Sequence, residues 1–184
     1  MPEINPNTKS EKYIFLDRDG TIIEDKGYVH KISDLKFMPK AISGLKNLKK
    51  LGYKLVILSN QAGVAKNYYT MDDAHKFNKE LVSRLAKKDI KIEDILICPH
   101  HPDITGKCKC RKPNTGLADI AAKKFKIDLS RSIFIGDKNC DIELGKSCGG
   151  KTFLIDNNQY EVTVLSDYKV KNILEVSAEL RKLA

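Results

Sequence analysis

The chain has 184 residues and a formal charge of +9, with 41% hydrophobic and 31% charged residues. This balance excludes a disordered chain and predicts one folded domain able to bury a core without disulfide staples. No apolar run approaches the length that spans a bilayer, so no membrane partner is expected.

The first ten residues lack an apolar signal core, so residues 1–12 are expected to form a flexible lead-in to a single domain over 13–184, and the protein to be cytoplasmic. The run Tyr13-Ile-Phe-Leu-Asp17-Arg18-Asp19-Gly20-Thr21 then reads as a buried strand ending in two carboxylates and a glycine that turns the backbone sharply. Two acids so close repel, so a cation or a shared proton should accompany them. A polar loop over 24–36 follows. Pro39 is expected to open a helix carrying Ile42, Leu45, Leu48 and Leu51, stopped by Gly52. Residues 53–58 read as a strand ending in Ser59-Asn60-Gln61, 72–88 as a helix and 94–98 as a strand. A helix is expected over 114–126, capped by Asn114 or Thr115. Residues 132–137 repeat the opening pattern of an apolar run closed by an acid, Asp137. A helix through Leu144, a strand over 152–155 and a helix over 172–183 complete the chain. Strands alternating with helices predict an α/β fold built on a doubly wound parallel sheet, with no insertion long enough for a separate cap domain.

The lysines are spread over several expected helix surfaces and only five basic residues are arginine, which fits a solvated surface rather than a nucleic-acid footprint. The excess positive charge would still draw in an anionic small molecule. Of the five cysteines, Cys140 and Cys148 fall in an expected helix and read as small buried hydrophobes, whereas Cys98, Cys108 and Cys110 crowd one region.

Strand ends of a parallel sheet place Asp17 and Asp19, Ser59 and Asn60, and Asp137 at one edge, with Arg111-Lys112 just before a helix. Carboxylates in such a set suit Mg2+, while hydroxyl, amide and lysine groups suit phosphoryl oxygens. The parts add up to metal-assisted phosphoryl transfer.

Phe15-Leu-Asp17-Arg-Asp19-Gly-Thr21, the strand ending in Ser59-Asn60, Lys112, and Gly136-Asp137-Lys138-Asn-Cys-Asp141 resemble, in order, the four motifs of the haloacid-dehalogenase phosphatase superfamily. The resemblance implies a three-layer Rossmann-like fold. It also implies that Asp17 is the nucleophile and a Mg2+ ligand, and that Asp19 is the general acid and then base, adding its backbone carbonyl to the metal. Ser59 and Lys112 would hold the phosphoryl group, Asp137 would complete the metal site, and Asp141 would support it from behind.

Cys98-Pro-His100-His101-Pro-Asp-Ile-Thr-Gly-Lys-Cys108-Lys-Cys110 brings two close pairs of soft ligands together across a short loop, the pattern of a tetrahedral Cys3His zinc site. Spacing alone leaves the choice between His100 and His101 open. Arg111-Lys112 follow Cys110 directly, so a structural Zn2+ is expected to fix the backbone that aims these cations at the phosphate. This loop resembles the branch of the superfamily that holds heptose-bisphosphate and histidinol-phosphate phosphatases, in which the first histidine, here His100, is the zinc ligand. Asp25-Lys26-Gly27-Tyr28-Val-His30 resembles the substrate loop of the heptose enzymes, and the stretch from Asn60 through Gln61 to Ala65 resembles their loop after the second strand. The implied substrate contacts are Asp25, Lys26, Gly27, Tyr28, Ser59, Asn60, Gln61, Arg111, Lys112 and Lys138. The implied reaction is hydrolysis of the 7-phosphate of a heptose 1,7-bisphosphate through an aspartyl-phosphate; a monomer is the default expectation. Ala62, where a serine is common, and the short zinc loop depart from that pattern, and the loop length keeps histidinol phosphate as the alternative, with a nucleic-acid 3′-end phosphatase on the same scaffold the less favoured one.

Overall fold

A computed structural model describes residues 11–183, so nearly all of the expected lead-in lies outside the described residues. Six strands form one sheet: β1 (Lys12–Leu16), β2 (Tyr53–Asn60), β3 (Asp94–Cys98), β4 (Ile133–Gly136), β5 (Lys151–Ile155) and β6 (Tyr168–Val170). Their order across the sheet is β3-β2-β1-β4-β5-β6, and every pair is parallel. In this doubly wound order the chain reverses its winding between β1 and β4, and the crevice at their carboxyl ends is where such sheets bind ligands. Asp17 and Asp137 are the residues that follow those two strands.

Side-chain alternation in β1 builds both faces. Ile14 and Leu16 join a core with α1 (Ala41–Lys50), α2 (Met71–Ala86) and α6 (Ile173–Lys182). Tyr13 and Phe15 face the other way, packing with α4 (Gly116–Phe125), with Leu144 of α5 (Asn139–Ser147), and with the cysteines of the 98–110 loop. Phe15 stacks on Phe134 at 4.9 Å between ring centroids. The result is three layers, with the sheet in the middle.

Local chemistry fixes the ends of the helices. Thr70 and Asp73 form a reciprocal capping box, so α2 starts before the expected position 72. Lys40, at φ 64°, makes the turn into α1, leaving Pro39 outside the helix it was expected to open. Thr115 precedes α4, but its hydroxyl donates to the Asp119 carboxylate instead of capping backbone, and Asn114 reaches back to the Cys108 carbonyl. Between β1 and α1 lie loop, isolated β-bridges that pair Ile23 with Asp19 and with Phe37, and a 3-10 turn at Ile32–Asp34. Two short elements went unread in the sequence: β6, whose three residues give period-2 alternation little to act on, and α3 (Pro102–Thr105) inside the cysteine loop. No described helix is long and apolar enough to cross a membrane.

Candidate active site

A cleft of about 380 Å³ opens at the carboxyl edge of the sheet. Asp17, Asp19, Asp25, Gly27, Tyr28 and Ser59 line it, with Asn60, Gln61, Arg111, Lys112 and Lys138. Lys26 does not: its side chain is exposed, outside the lining.

Asp17 ends β1 with its backbone N–H donating to Ile135 of β4. Its Oδ1 accepts a 2.7 Å hydrogen bond from Lys112 Nζ, which also donates to the Leu58 carbonyl at 2.7 Å. Lys112 lies 2.7 Å from Asp141 Oδ1 as well, a buried oxygen with no aligned hydrogen-bond donor. Burial pulls the Asp17 carboxyl up, but Lys112 and Lys138 outweigh it and hold Asp17 below the usual range. Burial likewise opposes the charge on Lys112, and Asp141 and Asp17 more than restore it.

Asp19 is pushed in the opposite direction. Burial raises its carboxyl, with Asp17 adding to the rise, and Arg18 only partly opposes it. Arg18 is fully buried: its Nε and Nη2 donate to Asp19 at 3.1–3.2 Å, Nη1 to Asn78 Oδ1 at 2.8 Å and Nη2 to the Val29 carbonyl at 2.7 Å. Its guanidinium lies 4.6 Å from the Phe77 ring. The cation that the paired acids demanded is thus partly internal. On the other side of Asp19, Gln61 Nε2 donates to Asp19 Oδ2 (3.0 Å) and Ser59 Oγ (2.8 Å). Tyr69, whose hydroxyl burial pushes up to about 12, donates to Gln61 Oε1 at 2.6 Å. Gln61 therefore orients Asp19 and Ser59 rather than presenting a free amide.

Asn60 has a similar task. Its Oδ1 accepts from Lys112 N at 3.0 Å and its Nδ2 donates to the Lys112 carbonyl at 3.1 Å, so both ends of the amide clamp the backbone that carries Lys112.

Asp137 is buried, and burial together with Asp17 pushes its carboxyl up to about 8. Gly20, at φ 85°, lies directly against it: a Cβ there would run into the Asp137 carboxylate. Lys138 Nζ stands 4.0 Å from Asp17 Oδ2, 3.9 Å from Asp137 Oδ2 and 3.5 Å from the Asp19 carbonyl, and is paired with Asp25 Oδ2 at 2.9 Å. Asp17, Asp137 and Asp141 bring carboxylate oxygens within 4.8 Å of one another. Asp141 is committed to Lys112 and, through Oδ2, to the Lys138 backbone N–H, which leaves Asp17, Asp137 and the Asp19 carbonyl facing a common point. Such an oxygen set suits a hard cation.

The cysteine loop gathers a second set. Cys98, His100, Cys108 and Cys110 lie within 4.8 Å of one another. The sulfurs are 3.1–3.6 Å apart, and His100 Nδ1 is 3.6 Å from Cys98 and 3.2 Å from Cys110. A tetrahedral centre with Zn–S bonds of about 2.3 Å spaces its sulfurs roughly 3.8 Å apart, so the cluster is compatible with zinc after slight expansion. The geometry draws in His100; the Nδ1 of His101 instead accepts from the Asp103 N–H at the start of α3. Arg111 Nη1 donates to the His100 carbonyl at 3.1 Å, tying the loop to the cleft.

Several lining residues had no counterpart in the sequence reading. Tyr69 and His101 line the cleft, as does Cys140, whose thiol is pushed up to about 12 by burial, as expected of a small buried cysteine. Tyr160 reaches in from the segment after β5 and donates to Asp25 Oδ2 at 2.8 Å. From the same segment Asn157 donates to the Gly20 carbonyl (3.0 Å) and Asp137 Oδ2 (3.2 Å). The signal available was positional: a segment leaving the carboxyl end of a central strand emerges at the ligand edge. His30 stacks on Tyr69 at 4.6 Å beside the cleft, and Tyr28, at φ 52°, sets its ring edge-on to Tyr68 at the mouth.

A model of the family described as polynucleotide kinase 3 phosphatase matches residues 12–174. A D-glycero-alpha-D-manno-heptose-1,7-bisphosphate 7-phosphatase of Photorhabdus laumondii is 42% identical over 143 residues, covering 75% of this chain and 78% of that protein. A D-glycero-beta-D-manno-heptose-1,7-bisphosphate 7-phosphatase of Haemophilus influenzae is 37% identical over 180 residues, covering 94% of this chain and 98% of the other. The crystal structure of the D,D-heptose 1,7-bisphosphate phosphatase of B. bronchiseptica, complexed with magnesium and phosphate, superposes with a TM-score of 0.83 at 23% identity, covering 94% and 99% of the two chains, and so shares the fold. By its sequence and by the sheet that carries its acids, the chain belongs to the polynucleotide kinase 3 phosphatase family of haloacid-dehalogenase-like phosphatases.

Proposed function

We propose that the chain hydrolyses the 7-phosphate of a D-glycero-D-manno-heptose 1,7-bisphosphate through a phosphoryl group carried on Asp17. The observation that carries the reaction is the placement of two neighbouring acids: Asp17 Oδ1 accepts from Lys112 Nζ, whereas Asp19 is gripped by Arg18 and Gln61, and these surroundings pull the Asp17 carboxyl down and push the Asp19 carboxyl up. Environments that push paired carboxyls apart divide the roles of nucleophile and acid between them. Asp17 Oδ2 is then the attacking atom, since Oδ1 is engaged by Lys112. Asp19 gives its proton to the departing sugar oxygen and takes one back from the water that cleaves the acyl phosphate. Lys112, oriented by Asp141 and by the Asn60 clamp, neutralises phosphoryl charge, and the Ser59 hydroxyl adds a hydrogen bond.

Asp17, Asp137 and the Asp19 carbonyl would hold Mg2+, which supplies charge neutralisation at the phosphoryl oxygens. The thiol and imidazole set would hold Zn2+ with all four positions filled by protein, a structural site. The sugar assignment rests on the heptose-bisphosphate phosphatases that this chain matches along most of its length. The cleft volume falls in the range of small-molecule sites, and Arg111, Lys138 and the Asp25–Tyr28 loop line its outer part, where a second phosphate and the sugar would lie. The proposed place of this reaction is the making of nucleotide-activated heptose, a role that fits the cytoplasm.

The matching family is described as polynucleotide kinase 3 phosphatase, which makes a nucleic-acid 3′-phosphate a further substrate to test. Phosphate release from the alpha and beta heptose 1,7-bisphosphates, histidinol phosphate and a DNA 3′-phosphate, measured side by side with Mg2+, separates the readings. The heptose bisphosphates should lead in kcat/KM by well over an order of magnitude. Preference for histidinol phosphate or DNA would overturn the assignment.

A further inference from the structure

Asp25 is implied by resemblance to be a substrate contact, yet both oxygens of its carboxylate are engaged within the protein. Oδ1 accepts from the Gly27 N–H at 2.8 Å, and Oδ2 accepts from the Tyr160 hydroxyl and from Lys138 Nζ, at 2.8 and 2.9 Å. Tyr160 also sets its ring 4.6 Å from the same ammonium, a cation–π contact. The segment that brings it there is fastened at several points. Asn157 donates to the Gly20 carbonyl at 3.0 Å, and its Oδ1 accepts from the Gln159 N–H at 2.9 Å. Gln159 Nε2 in turn donates to the Asp25 carbonyl at 2.8 Å. Residues 157–160 thus strap the turn after β1 to the loop that carries Asp25.

A lysine carries its charge on a flexible four-carbon stem, so one that must meet a ligand at a fixed point needs restraint from its neighbours. Lys112 has that restraint from Asp17, Asp141 and the Leu58 carbonyl. For Lys138 it comes from Asp25 and Tyr160. The Lys138 ammonium stands 4.0 Å from Asp17 Oδ2, the oxygen assigned above to attack phosphorus, so a phosphoryl group arriving there from the outer cleft passes within its reach. We propose that Tyr160 is a positioning residue, which through Asp25 Oδ2 and through its own ring holds the Lys138 ammonium in place for the phosphate charge of the substrate. Asp25 belongs to that restraint rather than to the substrate. The inference rests on the phosphatase reading given above and is independent of which sugar is bound.

The test is a double-mutant cycle of Tyr160→Phe with Lys138→Met. It is read by KM and kcat for D-glycero-D-manno-heptose 1,7-bisphosphate and by calorimetric affinity for inorganic phosphate, both with Mg2+. Tyr160→Phe keeps the ring and loses the hydroxyl; it should raise KM and weaken phosphate binding by about tenfold, with kcat within about threefold of wild type. Tyr160→Leu, which loses the ring as well, should cost more. In the Lys138→Met background Tyr160→Phe should have no further effect, because the lysine through which it acts is gone. Equal effects of Tyr160→Phe in both backgrounds, or wild-type phosphate affinity in Tyr160→Phe, would overturn the proposal and leave Tyr160 as a wall of the cleft. If Lys138→Met does not fold, Asp25→Ala replaces it in the cycle with the same expectation. A wild type that binds phosphate but does not turn over the heptose bisphosphate would remove the sugar assignment alone, and the phosphate cycle would still decide the role of Tyr160. A wild type that binds no phosphate would overturn the proposal together with the phosphatase reading.

Discussion

The acid cluster at the ends of β1 and β4 and the cysteine cluster of the 98–110 loop gather metal-ligating groups in opposite ways. The acids come from elements far apart in sequence, are buried, and are already met by Arg18, Lys112 and Lys138. The sheet itself sets their positions. Of the thiols, Cys98 ends β3 and is buried, while Cys108 and Cys110 come from the short loop after it, which has little regular structure, and pack partly buried against the core. A site made by the fold and prepaid with internal cations should survive loss of its metal, whereas a loop organised around its metal should not.

That contrast can be broken in order of expected effect. Asp17→Asn should fold normally and lose roughly 10⁴-fold or more of kcat. Asp19→Asn should lose about 10²- to 10⁴-fold. Robust turnover by Asp17→Asn would remove the covalent route. Next, withdrawing Mg2+ should abolish turnover reversibly, with the melting temperature changed far less than by loss of zinc. Cys108→Ser should instead lose bound zinc, lower the melting temperature and raise KM, because Arg111 and Lys112 follow the last ligand directly. Zinc loss with kcat/KM untouched would show that the loop does not aim those cations.

Arg18→Met tests the internal cation at the acid end. It strips the partly buried Asp19 of its paired charge and orphans Asn78 Oδ1 and the Val29 carbonyl, a class of change that costs about 3–5 kcal/mol. Urea unfolding measures it, and a loss below 1 kcal/mol would mean that the pair behaves like a surface ion pair. The smallest expected effect is Tyr69→Phe, which removes one buried hydrogen bond to Gln61 at a cost of about 1 kcal/mol. A loss above 3 kcal/mol would reveal a larger role for that chain of contacts.

The two regions also differ in what the sequence disclosed. The acids and thiols were legible because each type carries its chemistry in a short motif at a strand end or in a loop. Partnerships across the fold were not. Arg18 sat in plain view between the aspartates, yet that its guanidinium turns inward onto Asp19, Asn78 and the Val29 carbonyl depends on α2 packing behind it. Asn60 and Gln61 looked like free amides for substrate, and only the approach of Lys112, Asp19 and Tyr69 engages them. Asn157 and Tyr160 lie in a segment without periodicity, so nothing local marked them. The order of strands was inferable as a class; β6 was too short to register.

The central claim is regiospecific: phosphate leaves C7 and stays on C1. Following D-glycero-D-manno-heptose 1,7-bisphosphate by phosphorus NMR with the Mg2+-loaded enzyme tests it most directly. The account predicts loss of the C7 phosphomonoester signal and growth of inorganic phosphate, both abolished in Asp17→Asn, with the anomeric phosphate signal persisting throughout. Loss of the anomeric phosphate first, or no turnover of the bisphosphate, would contradict it.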